Sequence, residues 1–87
     1  MLFGHNVVDA DQLATLTGTL QGAAPIPLLV SMDQEGGYVT RLGYWAGIEP
    51  NYSPQYLGAL NDLEVTRAQA RATSTVLRDL GVNLNLA

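Results

Sequence analysis

The sequence predicts an α/β fold in which parallel strands alternate with helices. Three short segments have the apolar or period-two composition of strands, and two longer segments between them show helical spacing of apolar residues. The order along the 87-residue chain is strand, helix, strand, loop, helix, strand. This alternation is typical of a parallel sheet with right-handed crossovers. It fits a doubly wound sheet and part of a (β/α)8 barrel equally well.

The first strand is expected at residues 1–3, and the first helix follows it. Asp9 is the predicted N-cap of that helix, with Gln12 at the position of its capping-box partner. Apolar residues then recur at helical spacing, and Gly22 is the expected stop. The first helix should therefore run from about Ala10 to Gln21.

The second strand is expected at Leu28–Met32, which is almost wholly apolar and lies between Pro27 and Asp33. This composition is typical of a strand buried on both faces in a parallel sheet. Ligands of both candidate folds bind at the carboxyl ends of the strands. The polar residues that follow directly, Asp33 to Gly37, therefore mark the candidate site, and Asn6 follows the first strand in the same way.

The rest of the chain contains a long irregular segment, a second helix and a third strand. Residues 38–60 combine glycines and prolines with several aromatic residues, which predicts a functional loop. Asn61 is the expected cap of the second helix, and Gly81 its expected end. Residues 82–86 alternate with period two and predict the third strand. The predicted core stripe of the second helix is Val65, Ala68, Ala72 and Val76, widened by Leu77 and Leu80.

Composition excludes several classes of function. The formal net charge is −4, with no lysine and four arginines, so there is no basic surface for nucleic acid. No segment approaches the roughly 20 apolar residues that span a bilayer, and no membrane partner is expected. Cysteine is absent, which excludes disulfides, thiolate metal ligands and a cysteine nucleophile. An apolar share of 47% is that of a folded domain.

Asp33 and Glu35 allow four interpretations from the residues alone. They could be the acid and nucleophile of a retaining glycosidase, whose carboxyl groups lie about 5–5.5 Å apart. They could bind a divalent cation through oxygen. Alternatively, Asp33 accepts hydrogen bonds from sugar hydroxyls while Glu35 holds the loop. In the fourth interpretation, both are solvated loop acids.

The neighbouring residues also have both functional and structural interpretations. Gly36 and Gly37 allow positive φ, which suits a tight turn better than a phosphate cradle, because the spacing and lysine of a cradle are missing. Arg41 could clamp a carboxylate or a sugar oxygen, or neutralise Asp33 or Glu35. His5, the only histidine, is expected to be structural. The aromatic residues of the long loop could stack on a sugar or cover the core.

The middle strand and the turn after it resemble a known family. The stretch LLVSMDQEGG at residues 28–37, with Val39 and Arg41-Leu42, is similar to the segment LLISVDQEGGRVQRL of family 3 β-N-acetylhexosaminidases. Further matches follow in the family's order across the chain. They are Leu2-Phe3 with Asn6 (LFxRN), the first helix, Tyr56 to Ala59 (ALGA) and Leu80 to Ala87 (LGINLNFAP).

The resemblance implies a (β/α)8 barrel, of which residues 1–87 would be an N-terminal fragment, and a retaining hydrolase that removes terminal β-linked N-acetylglucosamine. No cofactor and no metal are implied. By this resemblance Asp33 would bind hydroxyls of the sugar. From the residues themselves, Glu35, Gly36, Gly37 and Arg41 are expected to support or shape the loop. The implied partners are a carbohydrate substrate and the remainder of the barrel; the compartment stays open, cytoplasmic or secreted.

The resemblance also implies that the catalytic residues lie elsewhere. The family's nucleophilic aspartate belongs to a later strand, and its histidine acid/base follows a KHFPGHG-like motif, neither of which occurs in these residues. The 87-residue chain alone should be inactive. Tyr38 and His5 stand where the family usually has arginine, which keeps a non-catalytic sugar-binding remnant as the alternative. An unrelated α/β phosphate-binding domain is the third hypothesis.

Overall fold

A computed structural model describes all residues from Met1 to Ala87. It contains helices α1 (Ala10–Ala23), α2 (Pro54–Leu60) and α3 (Leu63–Asp79), and strands β1 (Ser31–Met32) and β2 (Leu84–Asn85). Short 3-10 helices span Gly4–Asn6 and Tyr44–Ala46. The predicted α/β class with parallel strands is confirmed. None of the helices combines the length and apolar composition needed to cross a membrane.

The sheet is parallel and centred on β1. Ser31 pairs with Leu84 and Met32 with Asn85, both in parallel register. On the other side, Leu2 forms a single parallel bridge to Met32, and its N–H donates to the carbonyl of Ser31 at 2.7 Å. The three predicted strands are therefore neighbours in the sheet in chain order, although each is shorter than predicted.

The core lies between one face of the sheet and the helices. Leu13 of α1 and Met32 of β1 are fully buried and form its centre, and Leu77 of α3 is almost as deeply buried. The other face is largely uncovered, and Leu29 is 76% exposed. The prediction that the second strand is buried on both faces therefore holds at Ser31–Met32, where both residues are buried, but not at Leu29.

The predicted first helix is confirmed, with small differences at both ends. The Asp9 carboxylate accepts a hydrogen bond from the Gln12 N–H at 2.8 Å, as expected for an N-cap. The Gln12 side chain, however, accepts from the N–H of Val8 at 3.0 Å rather than from Asp9. Gly22 does not stop α1, which continues to Ala23 before Pro25 prevents further turns.

The segment between residues 38 and 60 is more ordered than predicted. Ser53 caps α2 by accepting from the N–H of Tyr56 at 3.1 Å, and Pro54 occupies the first turn. Proline begins a helix well at this position because its missing N–H would have no partner there. The predicted irregular loop is therefore wrong for Pro54–Leu60.

The second predicted helix forms, but its cap and its buried face differ from expectation. Asp62 caps α3 by accepting from the N–H groups of Glu64 and Val65, whereas Asn61 ends α2 in the left-handed conformation. Its buried positions are Thr73 and Leu77, and Leu80 directly after it is also buried. Gly81, in the left-handed conformation, ends the helix. Of the predicted stripe, Leu77 and Leu80 are buried, Val65 and Val76 are half-buried, and Ala68 and Ala72 are exposed.

Candidate functional site

Asp33 lies at the carboxyl end of the middle strand, directly after Met32 of β1. The register places Phe3 beside it on the first strand and Leu86 beside it on the third. Its side chain is 19% exposed. This is the edge at which ligands of parallel α/β folds bind, so the structure places Asp33 where the sequence predicted.

The Asp33 carboxylate is held by Arg41 through two hydrogen bonds. The Nε–H of Arg41 donates to Oδ1 at 2.8 Å, and Nη2 donates to Oδ2. These hydrogen bonds hold the pKa of Asp33 below its ordinary value and raise the pKa of Arg41. The fork-to-fork geometry fixes the plane of the carboxylate as well as its charge.

The ion pair leaves both residues free to bind more. An ionised carboxylate has about four lone-pair positions, and Arg41 uses one on each oxygen. The guanidinium carries five N–H donors, of which Asp33 takes two. Because a sugar hydroxyl both donates and accepts, one hydroxyl can bond an oxygen of Asp33 and an N–H of Arg41. The arrangement therefore suits a neutral polyhydroxyl ligand.

The same arrangement bears on two of the interpretations made from sequence. A divalent cation at Asp33 would lie beside the guanidinium of Arg41, whose positive charge repels it. Nowhere does the chain bring together three or more His, Cys, Asp or Glu side chains that could hold a metal ion. A general acid must hold a proton at working pH, whereas Arg41 lowers the pKa of Asp33, so Asp33 is unsuited to the acid role of a glycosidase pair.

Gly36 and Gly37 form a tight turn that packs against the segment before α2. Their φ angles are 97° and 61°, values that favour glycine. A Cβ atom on Gly36 would lie 2.2 Å from the carbonyl oxygen of Tyr52, and one on Gly37 would lie 2.6 Å from the Ser53 Cβ. The glycines thus let two loop segments approach closely.

Glu35 is part of the same turn through its backbone. Its N–H and that of Gly36 donate to the carbonyl of Val39 at 2.9 and 3.1 Å. Its side chain is half-buried, makes no hydrogen bond, and lines a groove of about 650 Å³ against α3. A loop-shaping role of the Glu35 carboxylate therefore stays a prediction.

Gln34 is the residue of this segment that sequence reasoning missed. It is 2% exposed, and its Oε1 accepts from the N–H groups of Arg41 at 2.7 Å and Leu42 at 3.2 Å. Its Nε2 donates to the hydroxyl of Thr40 at 2.6 Å. A glutamine between two acids reads as a surface residue, and only the folded turn shows that its side chain points inward.

Asn85 is the second residue that was missed. Its Oδ1 accepts from the N–H of Gln34 at 2.9 Å, and its Nδ2 donates to the carbonyl of Gln34 at 3.0 Å. The available signal was the alternation Asn83-Leu84-Asn85, because asparagine is depleted in strands and needs a reason to occur there. Here the side chain replaces the backbone pairing that β1 would otherwise make.

The aromatic residues do not form one cluster around Asp33. Tyr52 and Tyr56 stack on each other with centroids 4.5 Å apart, and His5 stacks on Phe3 at 5.9 Å. Tyr38 is fully exposed. His5 is exposed on the 3-10 helix beside the site, where a Cβ on Gly4 would lie 4.0 Å from the Arg41 Cδ.

The structure is that of an α/β protein with a parallel sheet, and Asp33 lies at the carboxyl edge, where ligands of such folds bind. The chain belongs to a family of glycoside-cleaving enzymes: the model of the glycosyl hydrolase family 3 N terminal domain matches residues 1–87. The resemblance carried by the DQEGG segment is confirmed. This membership also removes the hypothesis of an unrelated phosphate-binding domain.

The curated relatives of the chain are named β-hexosaminidase. The protein of Xanthomonas campestris pv. campestris strain B100 is 38% identical over 93 residues, covering 100% of this chain and 28% of the relative. Those of Xanthomonas euvesicatoria pv. vesicatoria strain 85-10 and Xylella fastidiosa strain M12 are each 34% identical, covering 100% of the chain and 27% of the relative. The chain thus spans about a quarter of these relatives. No solved structure gives a significant match.

Proposed function

We propose that the chain is the N-terminal part of a (β/α)8 barrel domain in a retaining glycoside hydrolase. The reaction is removal of terminal β-linked N-acetylglucosamine from carbohydrates or peptidoglycan fragments. In this proposal, Asp33 binds hydroxyls of the terminal sugar. The nucleophile and the acid/base belong to segments outside these 87 residues, and no cofactor is required.

The observation that carries the proposal is the Asp33–Arg41 pair at the carboxyl end of β1. Asp33 is ionised, oriented through both oxygens, and still 19% exposed. A sugar is recognised by fixed, partly desolvated acceptors and donors, because a site that loses one partner leaves the other unpaired. The pair offers both kinds of group in one place, whereas a solvated loop acid would offer neither in a fixed orientation.

The uncovered face of the sheet supports the barrel. Side chains on this face belong to the same sheet rows as Asp33, and most of them are apolar. An apolar patch of this kind on a folded protein is normally covered by another part of the assembly. In a barrel it is the interior, filled by side chains of the other strands. The exposed apolar residues are Met1, Phe3, Leu29, Leu84 and Leu86.

The turn at residues 35–37 supports the role of its neighbours as loop-shaping residues. Gly36 and Gly37 bring the segment before α2 against the turn, at distances that a side chain would not allow. The backbone N–H of Glu35 donates to the carbonyl of Val39, which closes the turn, and Arg41 follows two residues after Val39. The proposal assigns these residues the task of holding the loop that presents Asp33.

The test is the kinetics of the full-length protein that contains this chain, with a chromogenic N-acetylglucosaminide as substrate. Asp33→Asn keeps the shape of the side chain but removes the charge. We expect kcat/KM to fall by about 10²-fold, since hydrogen bonds to a charged group are lost in the sugar complex. Asp11→Asn, an exposed acid in the first turn of α1, is the matched control and should behave as the unchanged protein.

Three results would count against the proposal in different ways. Equal activity of Asp33→Asn and Asp11→Asn would remove Asp33 from the sugar site. Binding of N-acetylglucosamine without hydrolysis would identify the sugar-binding remnant. Hydrolysis by the isolated 87 residues, abolished by Asp33→Ala, would contradict the placement of the catalytic residues outside them.

A further inference from the structure

The carboxyl end of the middle strand contains a closed ring of interactions. Asn85 binds both backbone groups of Gln34, and the Gln34 side chain binds the backbone of Arg41. The Arg41 side chain returns to Asp33, which is joined to Gln34 by a peptide bond. Each link fixes the next, so the position of the carboxylate depends on residues that do not touch it.

The first link ties the residue after Asp33 to the neighbouring strand. Asn85 is paired with Met32 in the sheet register, and its side chain reaches Gln34, two residues after the end of β1. A side-chain amide presents one donor and one acceptor, and both are used on the same residue. The backbone directly after Asp33 is thereby held by two hydrogen bonds to the neighbouring strand.

The second link is the Gln34 side chain inside the turn. Both lone pairs of its Oε1 are used, by the N–H groups of Arg41 and Leu42. Because the side chain is 2% exposed, no water replaces these bonds if they are lost. The backbone of Arg41 makes no other hydrogen bond. Gln34 therefore fixes the position from which the Arg41 side chain extends.

We infer that Gln34 and Asn85 are positioning residues of the sugar site, which act on the substrate through Arg41 and Asp33. The inference rests on the proposed function for its kinetic readout alone. A glutamine that only stabilised the turn would lower stability without changing how Asp33 binds. A glutamine that positions Arg41 changes both the sugar affinity and the protonation of Asp33.

The experiment uses the full-length protein with Gln34→Met, which preserves side-chain length and removes all three hydrogen bonds. We expect kcat/KM on the chromogenic N-acetylglucosaminide to fall about tenfold or more, mainly through a higher KM, because small displacements of a binding group are costly. In the Arg41→Ala background, Gln34→Met should lower kcat/KM by less than about twofold, because the side chain through which Gln34 acts on Asp33 is already absent. Equal losses in both backgrounds would overturn the inference.

The second readout does not need turnover. NMR titration of ¹³C-labelled aspartate carboxyls follows the pKa of Asp33 directly. We expect that pKa to rise toward its ordinary value in Gln34→Met, because the Arg41 guanidinium is no longer held beside it. An unchanged pKa would overturn the inference, whereas an inactive wild-type protein would overturn only the proposed function.

Two further variants keep the test decisive. Asn85→Ala changes an exposed side chain and leaves no buried cavity, so it replaces Gln34→Met in the test if that variant does not fold. We expect Asn85→Ala to raise the pKa of Asp33 as well, but by less. Gln21→Met is the matched control. The Gln21 amide binds the N–H and the carbonyl of Leu28, both at 2.9 Å, at the other end of the strand. Its removal should leave the Asp33 pKa and KM unchanged, and a shift as large as that of Gln34→Met would contradict the inference.

Discussion

The two ends of the middle strand are held by the same chemical device but differ in what is attached to it. At the amino end, the Gln21 amide binds both backbone groups of Leu28, and Asn83 binds the N–H of Val30 and the carbonyl of Leu28. At the carboxyl end, Asn85 binds both backbone groups of Gln34. Side-chain amides thus complete a ladder that has only two backbone pairs.

The two ends differ in the residues to which the amide contacts are connected. At the amino end the partners of Gln21 and Asn83 are backbone groups only, and no charged residue is involved. At the carboxyl end the hydrogen bonds continue through Gln34 to Arg41 and Asp33. An amide that binds only backbone groups holds a short strand, whereas at the carboxyl end the same kind of contact also fixes the charged pair of Arg41 and Asp33. Barrel proteins show this division, with stability at one end of the strands and function at the other.

The largest effect is expected from Gly36→Ala at the carboxyl end. The new Cβ would meet the Tyr52 carbonyl at 2.2 Å, and φ is 97°. The free energy of unfolding should fall by at least about 2 kcal/mol, as is typical of a residue forced into this region of backbone space. Gly18→Ala in α1 is the control: nothing lies within 4 Å of its Cβ, and it should stabilise by about 0.5–1 kcal/mol. Thermal unfolding of the full-length variants checks both, and similar losses in the two would contradict the packing of the turn.

Arg41→Ala is expected to shift the pH dependence of sugar binding. Arg41 lowers the folded-state pKa of Asp33, so the contribution of the pair is complete above about pH 3.9 and is lost as the pH falls through that lower pKa. Without Arg41, protonation of Asp33 begins at a higher pH.

The affinity for N-acetylglucosamine, measured by titration calorimetry from acidic to neutral pH, should therefore decline at a higher pH in Arg41→Ala than in the unchanged protein. Arg78→Ala removes an arginine whose partner is the exposed Asp79, at 2.9 Å, and should not move the profile. If the pH profiles of sugar affinity coincided for all three proteins, Arg41 would not control the ionisation of Asp33.

The smallest effect is expected where helices meet near the amino end. The buried Thr17 hydroxyl donates to the Leu80 carbonyl at 2.8 Å. Thr17→Val should lower the free energy of unfolding by about 1–2 kcal/mol, because it leaves a buried acceptor unpaired, and should not change KM. Thr19→Val, whose hydroxyl is exposed, should do neither. A raised KM in Thr17→Val would contradict the view that the amino end of the sheet affects stability and not sugar binding.

Features that depend on neighbouring residues could be predicted from the sequence. Asp9 caps α1 and Gly81 ends α3 because each acts within one turn of chain. Asp33 follows an apolar strand and therefore lies at its carboxyl edge. The α/β class and the parallel strands also follow from local periodicity, which is why they were correct.

Features that depend on distant contacts could not be predicted. The buried face of α3 is set by the surface it meets, and the pattern of small residues at Ala68 and Ala72 pointed to the wrong side. Pro54 lies in the segment predicted to be irregular, although it begins α2. The roles of Gln34 and Asn85 join residues 51 positions apart, and nothing in their local sequence fixes that pairing.

Binding of the sugar by Asp33, held by Arg41, is tested most directly by a crystal structure of the full-length protein with N-acetylglucosamine. We expect a sugar hydroxyl within about 3.2 Å of an Asp33 carboxylate oxygen, with the Arg41 hydrogen bonds retained. A sugar bound at another site, with Asp33 facing solvent, would contradict this expectation.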